Sequence, residues 1–401
     1  MTETTRRAQR SGLAGIARHG RLRRPRAWTT ALKVVAASLT VVLVSGAAVA
    51  GLELWRLQST IKTVTLVGET EGPPPALGSF EGGFNLLVVG SDKCVEATCP
   101  GRGNAELNDV TILLHVAQDQ THAVAVSFPR DLVVPIPSCP VPGGGSYSAM
   151  AGQPINVTLS YGGLPCTVLT VERLTGLDIQ FAGKVTFSGV ANLATAIGGV
   201  KVCVDGPIYD KASGLNLPRA GEYELSGGGA LAFLRTRKGV GDGSDLGRIS
   251  SQQVYMSSLV RTLKADGTLN DFSKLYNIAN VAVNDMTLSN GLSNVNTMVA
   301  MAQVLKNLPL ERVMFVQYPT AYGQGGIYEG KVAPVKSIAD QLFATIKADK
   351  PFTVAKTGIG SKPNPNAPEP SASPDAELGA AAVINGLTGQ SAADHTCSKA
   401  N

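Results

Sequence analysis

The sequence predicts an α/β domain built in layers, carried behind a single membrane-spanning helix. Three observations lead there. An uncharged run of nineteen residues opens the segment Val34–Leu54, directly after a basic amino terminus. Three apolar runs, Phe84–Gly90, Val110–Val116 and Ala123–Phe128, lack the alternation of half-exposed strands and suit a sheet covered on both faces. Helical patterns and further strands then intermingle over about 270 residues, which points to one mixed domain.

The amino terminus explains the charge. The 401 residues include 35 basic and 30 acidic side chains. Arg6, Arg7, Arg10, Arg18, Arg21, Arg23, Arg24, Arg26 and Lys33 precede the apolar run with only Glu3 against them, which leaves 26 basic and 29 acidic residues for the rest. A domain with that balance lacks the basic surface that nucleic-acid binding needs, so no nucleic-acid partner is expected. The run Val34–Leu54 is long enough to cross a bilayer. Only Arg56 and Lys62 follow it closely, so the bias predicts a cytoplasmic tail over residues 1–33 and everything after the helix outside. Ala48-Val49-Ala50 offers a small-x-small site, making a cleaved signal peptide the alternative; the long basic region and full membrane-spanning length favour an anchor. Residues 55–83, including the Gly68–Gly83 stretch GETEGPPPALGSFEGG, read as a linker.

All six cysteines (Cys94, Cys99, Cys139, Cys166, Cys203 and Cys397) follow the apolar run, as disulfides in an oxidising compartment would. Zinc is the poorer reading, since only Cys94 and Cys99 are close and His115 and His122 lie on or beside strands. Bridges Cys94–Cys99 and Cys139–Cys166 are the expected pairs. The domain should occupy residues 84–350. Its helical patterns are Thr167–Leu174, Ser188–Ile197, Gly228–Leu234, Ser250–Lys264, Ser293–Leu305 and Val335–Ile346, with strands at Gln180–Phe187, Gly199–Val204 and Arg312–Gln317. Residues 351–401, containing KPNPNAPEPSASPDAE, predict a largely disordered tail, although Cys397 hints at a tether.

The residues that suggest chemistry cluster in Leu234–Gln253, LRTRKGVGDGSDLGRISSQQ. Arg235 and Arg237, two apart on an extended backbone, would aim two guanidinium forks the same way, a geometry that grips phosphate oxygens. Arg248 and Gln252, four apart, would share a helix face, and the glycines at 239, 241, 243 and 247 permit close backbone approach. Alone, the stretch reads more readily as a solvated loop before a charged helix. Asp92 follows the first strand and Asp109 precedes the second, so antiparallel neighbours would bring both carboxylates to one sheet edge. That pair would make half of a magnesium site, with water and phosphate completing the octahedron. Arg130 and Asp131, at the end of the third strand, give three successive strand ends charged residues.

These blocks, GSD at 90–92, ND at 108–109, SFPRDLVVPIP at 127–137, INVTLSYGG at 155–163, TFSGVANLATAIGGVKVCV at 186–204, then LRTR and SDLGRISSQQ, resemble in order and spacing the LytR-CpsA-Psr (LCP) family. The resemblance covers roughly Phe84–Thr262. It implies a layered α/β/α domain with a central mixed sheet, membrane-anchored and extracytoplasmic, of the kind found in Gram-positive bacteria. The implied activity is a magnesium-dependent phosphotransferase in cell wall biogenesis. It moves a teichoic acid or similar glycopolymer from a polyprenyl-pyrophosphate carrier to a muramic acid hydroxyl of peptidoglycan. Carried over by position, Asp92 and Asp109 become metal-associated carboxylates, with Asp92 the candidate base. Arg130, Arg235, Arg237 and Arg248 become the pyrophosphate clamp, Gln252 and Asn156 flank it, and Asp131 and Asp245 orient the arginines. Leu107 and Pro154 stand where the family carries an arginine and a lysine, and Ser250 and Ser251 where it carries an arginine pair; Lys93 is a partial substitute. A hydrolase of the same donor, or a non-catalytic regulatory or receptor protein, are the alternatives.

Overall fold

The computed structural model describes residues 27–69, 80–93, 106–141, 143–265, 272–323, 325–367 and 381–401. It divides into two units, Met1–Arg56 and Leu57–Asn401. The described part of the first unit, residues 27–56, is helical and belongs to helix α1 (Ala27–Thr60), whose window Trp28–Val49 is long and apolar enough to cross a membrane. Its aliphatic side chains are exposed rather than packed. The apolar window starts before Val34, at Trp28, and takes in Lys33.

The second unit contains two main sheets. Their first seven strands are β1 (Lys62–Val64), β2 (Phe84–Ser91), β3 (Asn108–Val116), β4 (Ala123–Phe128), β5 (Phe181–Thr186), β6 (Val200–Val204) and β7 (Gly221–Leu225). The others are β8 (Met286–Ser289), β9 (Val313–Gln317), β10 (Phe352–Lys356), β11 (Ser361–Pro363), β12 (Ala382–Ser391) and β13 (Thr396–Ser398). Nine form a mixed sheet in the order β1-β8-β5-β2-β3-β4-β9-β12-β10, and β7-β6-β13-β11 form the smaller one. The helices are α2 (Thr158–Thr175), α3 (Phe187–Ile197), α4 (Gly227–Arg235), α5 (Asp245–Ala265), α6 (Phe272–Asp285), α7 (Val295–Asn307) and α8 (Lys336–Lys347).

The missing alternation in the apolar runs has a direct cause. Along β4, Val124, Val126 and Phe128 join the core beneath α2 and α8, while Ala123 and Ala125 join the core beneath α7. Both faces are dry, so period two persists as geometry without showing as hydrophobicity. Val168 and Val171 of α2 and Leu342, Phe343 and Ile346 of α8 fill the first core; Met301 and Val304 of α7 fill the second. A third core lies between the smaller sheet and helices α4 and α5, around Val200, Val202, Phe233 and Tyr255. Helix α3 begins at Thr186, whose Oγ1 accepts the Gly189 N–H, and stops at Gly198 in the left-handed conformation.

Two expectations are corrected here. The linker assigned to 55–83 contains the end of α1 and strand β1, which pairs in parallel with β8 at the sheet edge; residues 70–79 lie outside the described ones. The tail assigned to 351–401 supplies four strands. Its β12 sits between β9 and β10, burying Ile384 and Leu387, and β13 is bridged to β6 by Cys203–Cys397. The proline-rich composition that suggested disorder falls mostly between β11 and β12, where residues 368–380 lie outside the described ones. The Cys139–Cys166 bridge is present, whereas Cys94 and Cys99 lie outside the described residues. The sequence pattern also missed α6 and β8.

Ile384 is 2 % exposed in the central core, so Ile384→Ala should cost about 2–5 kcal/mol of unfolding free energy. Urea denaturation measures it, and a silent substitution would mean that β12 is not part of the sheet.

Candidate functional site

Strands β2, β3 and β4 are successive antiparallel neighbours, so the end of β2, the start of β3 and the end of β4 reach one edge of the main sheet. Ser91 pairs with Asn108, and the Leu107 N–H donates to Asp92 Oδ1 at 2.7 Å. The topology therefore brings Asp92 and Asp109 to the same edge. Just beyond β4, Arg130 NH1 reaches Asp109 Oδ1 at 2.5 Å. Asn156 is buried, and its N–H donates to the Arg130 carbonyl.

Two further arginines arrive from the other side of the unit. Asp245, in the first turn of α5, receives Arg237 NH2 at 3.2 Å and Arg248 NH2 at 2.7 Å on the same oxygen. Its second oxygen accepts the Arg130 N–H at 3.3 Å. Arg248 also donates to the Asp109 carbonyl at 2.8 Å. Asp131 stands near Arg130 Nε (3.6 Å), Arg237 NH2 (3.9 Å) and Lys331 Nζ (3.5 Å). Arg130, Arg237 and Arg248 thus share one cluster with Asp109, Asp131 and Asp245. Burial works against the charge of Arg130, but Asp109, Asp131 and Asp245 outweigh it and hold its pKa above the ordinary value. For Arg248, burial prevails and lowers it, although Asp245 and Asp109 oppose the shift.

The Nε donors of Arg130, Arg237 and Arg248 are all buried without a hydrogen-bond acceptor among the described residues. An unpaired buried donor costs about 1–3 kcal/mol, so three in one cluster call for an explanation.

The remaining candidates are placed differently. Arg235 ends α4, and only Thr236 after it is extended, so the expected side-by-side presentation with Arg237 on one strand does not form. Its guanidinium lies over the Phe187 ring, 4.2 Å from the centroid, and it makes no ion pair with a described residue. Gln252 donates to the Leu234 carbonyl at 2.8 Å and so fixes the end of α4. Lys93 is mostly exposed and lies 3.9 Å from Glu106, not beside the arginines.

Sequence reasoning missed three residues. Asp210 Oδ2 accepts Thr236 Oγ1 at 2.8 Å and the Arg237 N–H at 3.1 Å, anchoring the turn that delivers Arg237. Glu106 joins Ser91 (2.6 Å) and Lys184 (2.7 Å) next to Asp92. Burial opposes its charge, yet Lys184, Ser91 and Lys93 hold the carboxyl below the ordinary value. Lys331, the partner of Asp131, follows a turn some 200 residues downstream. None of the three belongs to a local motif, so spacing carried no signal for them.

Comparison with known proteins gives a consistent picture. The LytR_cpsA_psr family matches residues 60–347. The "Probable cell wall biosynthesis protein LcpB" of Corynebacterium glutamicum is 31% identical over 218 residues, 52% of this chain and 49% of that protein. The chain thus spans about half the length of that relative. The "Polyisoprenyl-teichoic acid--peptidoglycan teichoic acid transferase TagT" of Bacillus subtilis is 25% identical over 246 residues, 58% of this chain and 70% of that protein. Among solved structures, a LytR-Csp2A-Psr enzyme from Actinomyces oris superposes with a TM-score of 0.51 at 20% identity, covering 71% of this chain and 96% of that one. That likeness concerns the fold.

Asp210 supplies a test of how the turn is held. Burial pushes its carboxyl up, but hydrogen bonds from Thr236, Arg237 and Ala212 outweigh burial and leave it below its ordinary value. Asp210→Ala should cost about 1–3 kcal/mol, because donors of Thr236 and Arg237 lose their acceptor. That contribution is present above the unfolded-state value near about pH 4 and is lost as pH falls through the lower folded value. Denaturation curves of the two proteins should therefore converge toward acid pH.

Proposed function

Because the chain belongs to the LytR_cpsA_psr family, we propose that it transfers a phosphorylated glycopolymer from a polyprenyl-pyrophosphate carrier to a muramic acid hydroxyl of peptidoglycan. The observation that carries the proposal is the trio of buried, acceptor-free Nε donors of Arg130, Arg237 and Arg248. Planar guanidinium forks match phosphate oxygens, and a phosphoryl transfer needs charge neutralised at the non-bridging and leaving oxygens more than it needs covalent help.

In this reading the acceptor oxygen forms a bond to the glycan-linked phosphorus while the bridging P–O bond breaks, and polyprenyl phosphate leaves. Asp92 takes the hydroxyl proton. Arg130, Arg237 and Arg248 hold the non-bridging oxygens and the departing phosphate, and Arg235, exposed at the end of α4 over the Phe187 ring, meets the donor further out. The trio already faces three aspartates, so a pyrophosphate would add negative charge to a nearly balanced cluster. Additional positive charge at Asp92 and Asp109 relieves that. Two carboxylates suit a hard ion that takes most ligands from water and phosphate, as magnesium does. Magnesium held there supplies charge against the pyrophosphate oxygens. Helix α1 anchors the protein, with its basic end cytoplasmic and the second unit outside.

The full-length protein, in detergent with a labelled polyprenyl-pyrophosphate oligosaccharide, should give labelled peptidoglycan only when magnesium and peptidoglycan fragments are both present. Release of label solely to water would identify a hydrolase, and binding without turnover a receptor. Arg248→Ala should lower kcat/KM by about a hundred- to a thousandfold. Asp92→Ala should abolish transfer at any magnesium concentration; full activity restored by added magnesium would remove Asp92 from the mechanism.

A further inference from the structure

Arg237 and Arg248 stand on opposite sides of a loop, Lys238–Ser244, that is rich in glycine. Gly241 and Gly243 have φ of +61° and +78°, a conformation that such residues adopt but do not hold by themselves. The backbone path between the two arginines is therefore set by whatever holds this loop and the first turn of α5, while Asp245 joins their guanidiniums. Part of that hold is internal: Val240 N–H donates to the Arg237 carbonyl and Gly243 N–H to the Val240 carbonyl. Further hold comes from Asp210 on the Arg237 N–H, from the Tyr322 hydroxyl on Asp242, and from two short pieces, Gly358–Pro363 and Thr396–Asn401, both beyond the matched residues 60–347.

We propose that these two pieces are a positioning element for the arginine site, an inference that rests on reading that site as a phosphate site. The last residues lie along the loop. Gly241 N–H donates to the Lys399 carbonyl at 2.9 Å, Asn401 N–H to the Gly239 carbonyl at 3.1 Å, and Asn401 Nδ2 to the Lys238 carbonyl at 2.9 Å, while Val240 and Ala400 form an antiparallel bridge. Lys399 N–H in turn donates to Gly360, and Ala400 N–H to Asp205 Oδ1, which ties the piece to the smaller sheet.

The same pieces grip α5 beside Arg248. Ser251 and Ser398, both fully buried, join hydroxyls at 2.7 Å. A Cβ at Gly360 would stand 2.1 Å from the Gly247 carbonyl oxygen, and one at Gly358 2.0 Å from Ser250 Oγ. At Gly360 the two backbones approach so closely that only glycine fits, and at Gly358 the close neighbour is the Ser250 side chain. Ser250 and Ser251, the departures from the family pattern, are thus the small residues against which the added pieces dock. Larger side chains at those positions would fill the space that the pieces occupy. The docking surface carries no site residue of its own, so its effect on the arginines is indirect.

Gly360→Ala in the full-length chain, with Ser398→Ala as a milder second variant, tests this through two readouts. One is hydrogen exchange over 237–248 compared with strands β2 to β4; the other is calorimetric affinity for inorganic pyrophosphate with magnesium. The expected result is faster exchange over 237–248 with β2 to β4 unchanged, and pyrophosphate affinity lower by about tenfold, roughly the effect of one lost hydrogen bond. Ser398→Ala should move both readouts in the same direction by less, and it decides the matter if Gly360→Ala does not fold. Unchanged exchange, or faster exchange with unchanged affinity, overturns the proposal. If the unaltered protein binds no pyrophosphate, the phosphate reading fails by itself. Exchange over 237–248 then decides alone: faster exchange supports a positioning role and unchanged exchange refutes it.

Discussion

Three guanidiniums do not gather in a half-dry pocket unless carboxylates stand between them, and Asp245 is where this chain meets that constraint. One of its oxygens serves Arg237 and Arg248 together, and the other receives the backbone of Arg130. Mutual repulsion among the cations, strong at low dielectric, becomes a set of shared attractions. The position of Asp245 at the start of α5 adds to this, since a helix amino terminus favours a negative charge. Asp109 and Asp131 complete the balance from the sheet side. The arginines are left with their charges matched and their Nε donors unmatched, a state that suits a ligand able to accept hydrogen bonds without needing to displace the aspartates.

The cluster also draws on both sheets. Arg130 belongs to the main sheet, Arg237 and Arg248 to the elements flanking the smaller sheet, and Asp245 spans the two. The strands β2, β3 and β4 deliver one half by simple antiparallel pairing. The other half depends on the turn after α4, which Asp210 and Gln252 secure from two directions. Loss of either anchor would leave the arginines chemically intact but misaimed.

Much of this was legible from residues close in sequence. Apolar runs without alternation announced a doubly covered sheet because both faces of β4 are buried, and the order of Asp92, Asp109 and Arg130 along successive strands put them at one edge once antiparallel pairing was assumed. Spacing failed where the backbone changed character between two residues. Arg235 and Arg237 looked like a pair on a strand, but the first closes a helix and stacks on Phe187. Composition failed for residues 351–401, where a proline-rich connection masked β12 and β13, strands whose partners β9 and β6 come earlier in the chain. Asp210, Glu106 and Lys331 stayed invisible because each acts on a partner brought near only by tertiary structure.

The place of β12 bears on how the protein is made. It is synthesised after β10, yet it lies between β9 and β10 in the sheet. Strand β10 therefore has no partner in the main sheet until residues 382–391 emerge, and β9 keeps one edge open until then. Such an edge is adhesive, and a sheet whose closure waits for its last-made strand is slow to form because its pairings are distant in sequence. Until residues 382–391 appear the chain has no finished sheet, and the burden of keeping it apart from its neighbours falls on whatever handles it before then.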